Sequence, residues 1–134
     1  MQIRNSVHHI HIKCHDPKTA ADWYGDVFGF EVVADSVRPT GDRLIRCALE
    51  GNQPPFLIIS NPARGELLPE GRYESSLGLE HFAITTDNLE TLVERARAHG
   101  AELLDKPATL QDGTLIAFIK TPQNLRIELM QLPQ

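Results

Sequence analysis

Three side chains with metal-binding chemistry stand on short apolar strands: His9, His81 and Glu128. In His9-Ile10-His11-Ile12-Lys13 histidines alternate with isoleucines, and in Leu125–Gln131 the pair Ile127 and Leu129 alternates with Arg126, Glu128 and Met130. Successive strand residues point to opposite faces, so His9 and His11 share the face away from Ile10 and Ile12. Glu128 shares a face with Arg126, and His81 lies opposite Phe82 and Ile84. Two imidazoles and a carboxylate are a donor set for Fe(II), Mn(II), Zn(II) or Ni(II). A carboxylate on a buried strand also needs a partner, because an unpaired buried charge is strongly unfavourable. Around such a centre His11 would serve as a proton-holding neighbour or an alternative ligand. Arg126 would serve as an anion contact for substrate or as half of a structural ion pair. His8 falls outside the alternation and is expected to point away from His9.

A single histidine on a strand is more often solvated or internally satisfied than ligating. The case for His9 and His81 is that they occupy the same place in a repeat. The first strand leads into Asp16-Pro17, a helix N-cap followed by a residue preset for the first turn. Ala20, Trp23, Tyr24 and Val27 then recur at helical spacing, and Gly29 ends the run. The second strand, His81-Phe82-Ala83-Ile84-Thr85, leads to Asp87, with Glu90 three residues on as a capping box. Leu89, Leu92, Val93 and Ala96 form its apolar stripe, and Gly100 is its stop. The same interval of 71 separates Asp16 from Asp87 and Gly29 from Gly100. At that interval Glu31-Val32-Val33 falls on Glu102-Leu103-Leu104, and Phe56-Leu57-Ile58 falls on Ile127-Glu128-Leu129. One further residue in the leading strand sets His9 on His81 and His11 on Ala83. A register kept over a half-chain is the mark of a duplicated unit.

Each half therefore reads as strand, helix, strand, then a hairpin: Leu44–Leu49 with Phe56–Ser60, and Leu115–Lys120 with Leu125–Gln131. The turns are Gly51-Asn52-Gln53 and Pro122-Gln123-Asn124, both turn-forming chemistry. The predicted class is α+β, with two βαβββ modules at about 6–60 and 79–132. A linker rich in Gly, Pro and charge lies between them, at about 61–78. Leu57 is predicted at the place of Glu128 in the first module, where it supplies no ligand.

At 134 residues the chain has the size of one domain, and 41% hydrophobic with 23% charged residues is ordinary globular composition. A net charge of -5 argues against a nucleic-acid partner, which requires a basic stripe. No apolar run approaches membrane-spanning length, and the N-terminus has no signal-peptide core. Cys14 and Cys47 form neither a disulfide framework nor a zinc motif, so a cytoplasmic setting is expected and both thiols read as small buried hydrophobes.

Taken together the residues resemble the vicinal oxygen chelate superfamily of glyoxalases, extradiol dioxygenases and bleomycin- and fosfomycin-resistance proteins. The matching stretches are His9–Asp16, Trp23–Phe30, Leu79–Ile84 and Thr121–Leu129, with the Tyr24-x-Asp26-x-x-Gly29-Phe30 segment as the most specific. The resemblance implies a cup-shaped antiparallel sheet with helices outside, a metal held by His9, His81 and Glu128, and pairing as a homodimer. Leu57 departs from the full glyoxalase pattern and implies a three-ligand centre with open positions. The extradiol signature is met at Thr121, Pro122 and Glu128, but Phe118 stands where a tyrosine belongs and no histidine lies between Gly100 and Phe118. Of the fosfomycin pattern only the basic residues Lys120 and Arg126 are present. The expected function is a metal-dependent enzyme on a small oxygen-rich substrate, with Fe(II) ring-cleaving dioxygenase chemistry first. The alternatives are a Mn, Zn or Ni lyase, isomerase or thiol transferase, and a metal-free drug-binding protein.

Overall fold

Asp16 starts the first helix by accepting from the Thr19 backbone N–H at 3.2 Å, with Pro17 as first helical residue. Gly29 ends it in the left-handed conformation, at φ 85°, where a side chain would be strained. Ala20, Ala21, Trp23, Tyr24 and Val27 form the buried face in between. The structure is a computed structural model describing all 134 residues. The chain divides into two units, Met1–Pro69 and Glu70–Gln134.

The first unit runs β1 (His9–Lys13), α1 (Pro17–Phe28), β2 (Glu31–Val37), β3 (Arg43–Ala48) and β4 (Phe56–Ser60). Its sheet has the order β1-β4-β3-β2. The second runs β5 (Phe82–Thr85), α2 (Leu89–Ala98), β6 (Glu102–Leu103), β7 (Ala108–Thr109), β8 (Leu115–Lys120) and β9 (Arg126–Gln131), with the order β5-β9-β8-β6 and β7 added on β8. The predicted βαβββ plan holds in both units. The sheets are mixed rather than wholly antiparallel: β1 pairs with β4, and β5 with β9, in parallel. The helix between the first and second strands carries the chain across its sheet, so the first strand can lie parallel to the last.

Helix α2 packs Leu89, Leu92, Val93 and Ala96 toward β6, β8 and β9, as its spacing predicts. Its cap differs from the expected one. Asn88, not Asp87, accepts from the Thr91 backbone N–H, at 3.0 Å. Gly100 closes the helix at φ 91°, with Ala101 N–H donating to the Ala96 carbonyl. The true caps, Asp16 and Asn88, are thus 72 positions apart, the interval that separates His9 from His81.

Strand register revises the reading of the last strand. In the first unit Cys47 pairs with Leu57 and Arg46 with Ile58; in the second Ile119 pairs with Ile127 and Phe118 with Glu128. Leu57, Ile59, Cys47 and Ile45 are all at most 2% exposed, matching the buried Ile127, Leu129, Ile119 and Ala117. The equivalence therefore runs at 72 on β3 and 70 on β4. The cause is the hairpin loop, which spans residues 49–55 in the first unit and 121–125 in the second. Ile58, not Leu57, stands in the row of Glu128, and Leu57 faces the helix. A one-residue slip exchanges the faces of a strand, so a single interval could not read both. The chemical conclusion survives, since Ile58 ligates no better than leucine.

Residues 61–81 contain no helix or strand, but they are tied down on both sides of the unit boundary. Asn61 Oδ1 accepts from the Arg43 backbone N–H at 2.8 Å, and Lys13 Nζ reaches the Asn61 carbonyl at 3.3 Å. Beyond Pro69, the Gly71 carbonyl accepts from Asn124 Nδ2. No helix is long and apolar enough to cross a membrane.

The β2–β3 turn is held by a buried carboxylate. Asp42 is 0% exposed and accepts from Arg38 Nε at 2.9 Å, from Arg38 Nη2 and from Thr40 Oγ1. The bonds from Arg38, then that from Thr40, hold its carboxyl well below the usual carboxylate range. A carboxylate with a lowered folded pKa contributes stability above its unfolded value and loses it as pH falls through the folded one. Asp42→Asn is expected to lower the melting temperature at pH 7, with the gap to the parent protein closing in strongly acidic buffer; thermal scans across pH measure both.

Candidate metal centre

The parallel pairing of β5 with β9 sets Ala83 opposite Glu128, and β8 sets Phe118 on the other side. The small Ala83 leaves room above the sheet, while His81, immediately before β5, reaches over it. His81 Nε2 stands 3.2 Å from Glu128 Oε1, with side chains 28% and 15% exposed. On the other side of the ring, His81 Nδ1 stands 3.1 Å from Glu80 Oε1. An ionised carboxylate only accepts, so Nδ1 carries a proton and donates to Glu80. A neutral ring then directs the Nε2 lone pair at another acceptor. Two acceptors this close require a positive charge, either a second proton on the ring or a cation held by both atoms.

The spacing suits both options, since 3.2 Å is also an N–H···O separation. Ligands bound about 2.1 Å from one ion lie about 3.0–3.4 Å apart at octahedral to tetrahedral angles. The backing of the ring suits a bound ion as well, because a carboxylate on the remote nitrogen fixes the tautomer and strengthens the ligand. Glu80 is itself anchored by the Ser75 hydroxyl, and that bond, followed by the one from His81, holds its carboxyl below the usual range. The residues present fit a divalent ion as two of its ligands.

Phe118 walls this pair, its ring edge-on to His81 with centroids 5.2 Å apart. Arg126 stacks its guanidinium 5.5 Å from the centre of Phe118, donates from Nε to the Tyr73 carbonyl at 3.0 Å, and lies 3.7 Å from Glu80. Arg126 thus has a main-chain and a carboxylate partner on this face. Tyr73, Ser75 and Glu80 all come from the segment read as linker or strand approach, and that reading missed them. The signal for Glu80 was its position beside a candidate ligand.

The first unit presents a different array on the corresponding face. His9 and His11 stand on β1 opposite Phe56 and Ile58 of β4, and Arg46 of β3 completes the row of His11 and Ile58. His8 does not turn away from His9, contrary to expectation. Their Nδ1 atoms lie 2.8 Å apart and their rings meet edge to face, because His8 precedes the strand and its ring also packs on Phe56. One Nδ1 donates and the other accepts; with His9 as the donor, its Nε2 is the nitrogen left to ligate. His11 Nε2 bonds to the buried Ser60 hydroxyl at 2.8 Å. Burial, then the charge of Lys13, lowers its pKa from the ordinary value, so the ring is neutral at pH 7. Burial also pushes the thiols of Cys14 and Cys47 up to about 11, and neither is a nucleophile at neutral pH.

Arg46 is the unexpected residue of this face. Its guanidinium lies 5.0 Å from the centre of Phe56, and its Nε is buried with no hydrogen-bond partner. A buried donor left unpaired costs about 1–3 kcal/mol. No three His, Cys, Asp or Glu side chains of the chain are gathered around one point. His81 and Glu128 are brought together in the second unit, while His9 belongs to the first.

The sequence matches the Glyoxalase/Bleomycin resistance protein/Dioxygenase superfamily over residues 6–129. It is 38% identical over 60 residues to a lactoylglutathione lyase of Arabidopsis thaliana, covering 44% of this chain and 21% of the plant protein. It is 32% identical over 108 residues to a 4-hydroxyphenylpyruvate dioxygenase of Danio rerio, covering 78% of this chain and 27% of that enzyme. The chain therefore spans about a quarter or less of the length of these curated relatives. Its fold superposes on a glyoxalase family protein of Bacillus cereus with a TM-score of 0.84, at 14% identity and covering 99% and 100% of the two chains. Two βαβββ units in tandem and a match over nearly all of their length lead to one assignment: the chain belongs to the Glyoxalase/Bleomycin resistance protein/Dioxygenase superfamily.

Proposed function

We propose that the chain is a divalent-metal-dependent enzyme acting, as a homodimer, on a small oxygen-rich organic substrate. The proposed ligands are His9, His81 and Glu128, and the first choice of chemistry is Fe(II)-dependent ring cleavage. The observation that carries the reading is the pair His81 Nε2 and Glu128 Oε1, 3.2 Å apart, a spacing that two ligands of one divalent ion also have. His9 is proposed as the third ligand because it holds the place of His81 in the first unit, and its contact with His8 is through Nδ1. Two histidines and one carboxylate with open positions are the donor set of non-haem Fe(II) oxygenases, and Ile58 in the row of Glu128 adds no fourth ligand.

When bound, the ion would supply Lewis acidity toward two adjacent substrate oxygens and, as Fe(II), the redox capacity ring cleavage needs. The chain supplies the rest. Glu80 keeps a proton on His81 Nδ1 and so keeps Nε2 available. Phe118 excludes water from one side of the pair. His11, neutral and bonded to Ser60, is the group able to take a proton from a substrate hydroxyl. A lyase or isomerase working with Mn, Zn or Ni is the second reading, favoured by the plant relative, named a lactoylglutathione lyase.

Protein purified anaerobically is expected to bind one equivalent of metal per chain, and His9→Ala and Glu128→Ala are each expected to lose it. Stoichiometric binding unaffected by either substitution would overturn the proposal. Oxygen uptake on catechols by the Fe(II) form supports ring cleavage; turnover of a thiol–2-oxoaldehyde adduct by the Ni or Zn form, without such uptake, supports the second reading. Glu80→Gln, by loosening His81, is expected to weaken metal binding about 10–100-fold with little change in melting temperature, as calorimetry and thermal scans would show.

A further inference from the structure

We propose that Arg46 is a substrate-recognition residue that selects compounds bearing a carboxylate beside their vicinal oxygens. The inference rests on the metal-enzyme reading above and names its substrate class. Arg46 shares a face of the first sheet with His11 and Ile58, in one cross-strand row, while His9 stands on the same face opposite Phe56. Its guanidinium stacks on Phe56, no carboxylate pairs with it, and its Nε is buried without an acceptor.

Arg126 gives the contrast. It also stacks on a phenylalanine, but the Tyr73 carbonyl takes its Nε proton and Glu80 balances its charge. A guanidinium held flat by a ring, partly stripped of water and left with a free donor is preorganised for a planar oxyanion. A carboxylate matches its fork with two parallel hydrogen bonds. Of the two arginines beside candidate ligands, only Arg46 has that capacity unspent.

The probes are catechol, 3,4-dihydroxybenzoate and benzoate. They offer the vicinal oxygens alone, both features, and the carboxylate alone. Protein loaded with redox-inert Zn(II) is titrated calorimetrically with the first two, and metal-free protein with benzoate by NMR shift. The parent protein is expected to bind 3,4-dihydroxybenzoate about tenfold more tightly than catechol, the worth of one charge-assisted contact. Arg46→Gln removes that preference and weakens benzoate to the same degree, with less than about a twofold change for catechol. Arg46→Lys, which keeps the charge and loses the fork, falls between them. A preference unchanged in Arg46→Gln, or equal loss for catechol and 3,4-dihydroxybenzoate, overturns the proposal. Zinc content measured on the same samples tests the metal reading separately, and the benzoate series needs no metal.

Discussion

The positive charge required between His81 Nε2 and Glu128 Oε1 organises the second unit. Everything around that gap serves to place two acceptors in confrontation. Parallel pairing brings Glu128 beside Ala83, whose methyl group is small enough to leave the ring space. Glu80 claims the other nitrogen, Ser75 holds Glu80, and Phe118 closes a side. Such an arrangement is favourable when the ring takes a second proton or when both atoms hold one cation.

Much of the architecture was legible because it depends on local rules. The apolar stripes of both helices, Asp16 as cap, Gly29 and Gly100 as stops and the hairpin strands follow from periodicity and turn chemistry. What escaped was whatever depends on pairing between distant strands. The assignment of Leu57 to the row of Glu128 assumed one interval for the whole half-chain, and hairpin loops of different length broke it. The missed cap at Asn88 has a related origin, because Asp87 satisfied the interval while hydrogen-bond geometry favoured its neighbour.

The candidate ligands stand out in the sequence, and the residues packed around them do not. Histidines and a glutamate on apolar strands announce themselves. Tyr73 acts through its backbone carbonyl, Ser75 through a hydroxyl in an irregular segment, and Arg46 through the absence of a partner, none of which leaves a pattern in the sequence. His8 was misjudged because strand alternation was extended one residue beyond the strand.

Register also uncovers an exchange between the units. Arg46 stacks on Phe56 two positions before its cross-strand partner, and Arg126 stacks on Phe118 across the same diagonal with the residue types reversed. The duplicated hairpins have kept one cation over one ring while swapping which strand carries which. No single replacement links the two states. A direct exchange of one residue at a time passes through a pair of facing guanidiniums, which repel, or a pair of rings, which pack without charge. The second is the easier passage. Positions 46 and 56, and likewise 118 and 126, should therefore change together among relatives, with uncharged aromatic pairs marking lineages caught midway.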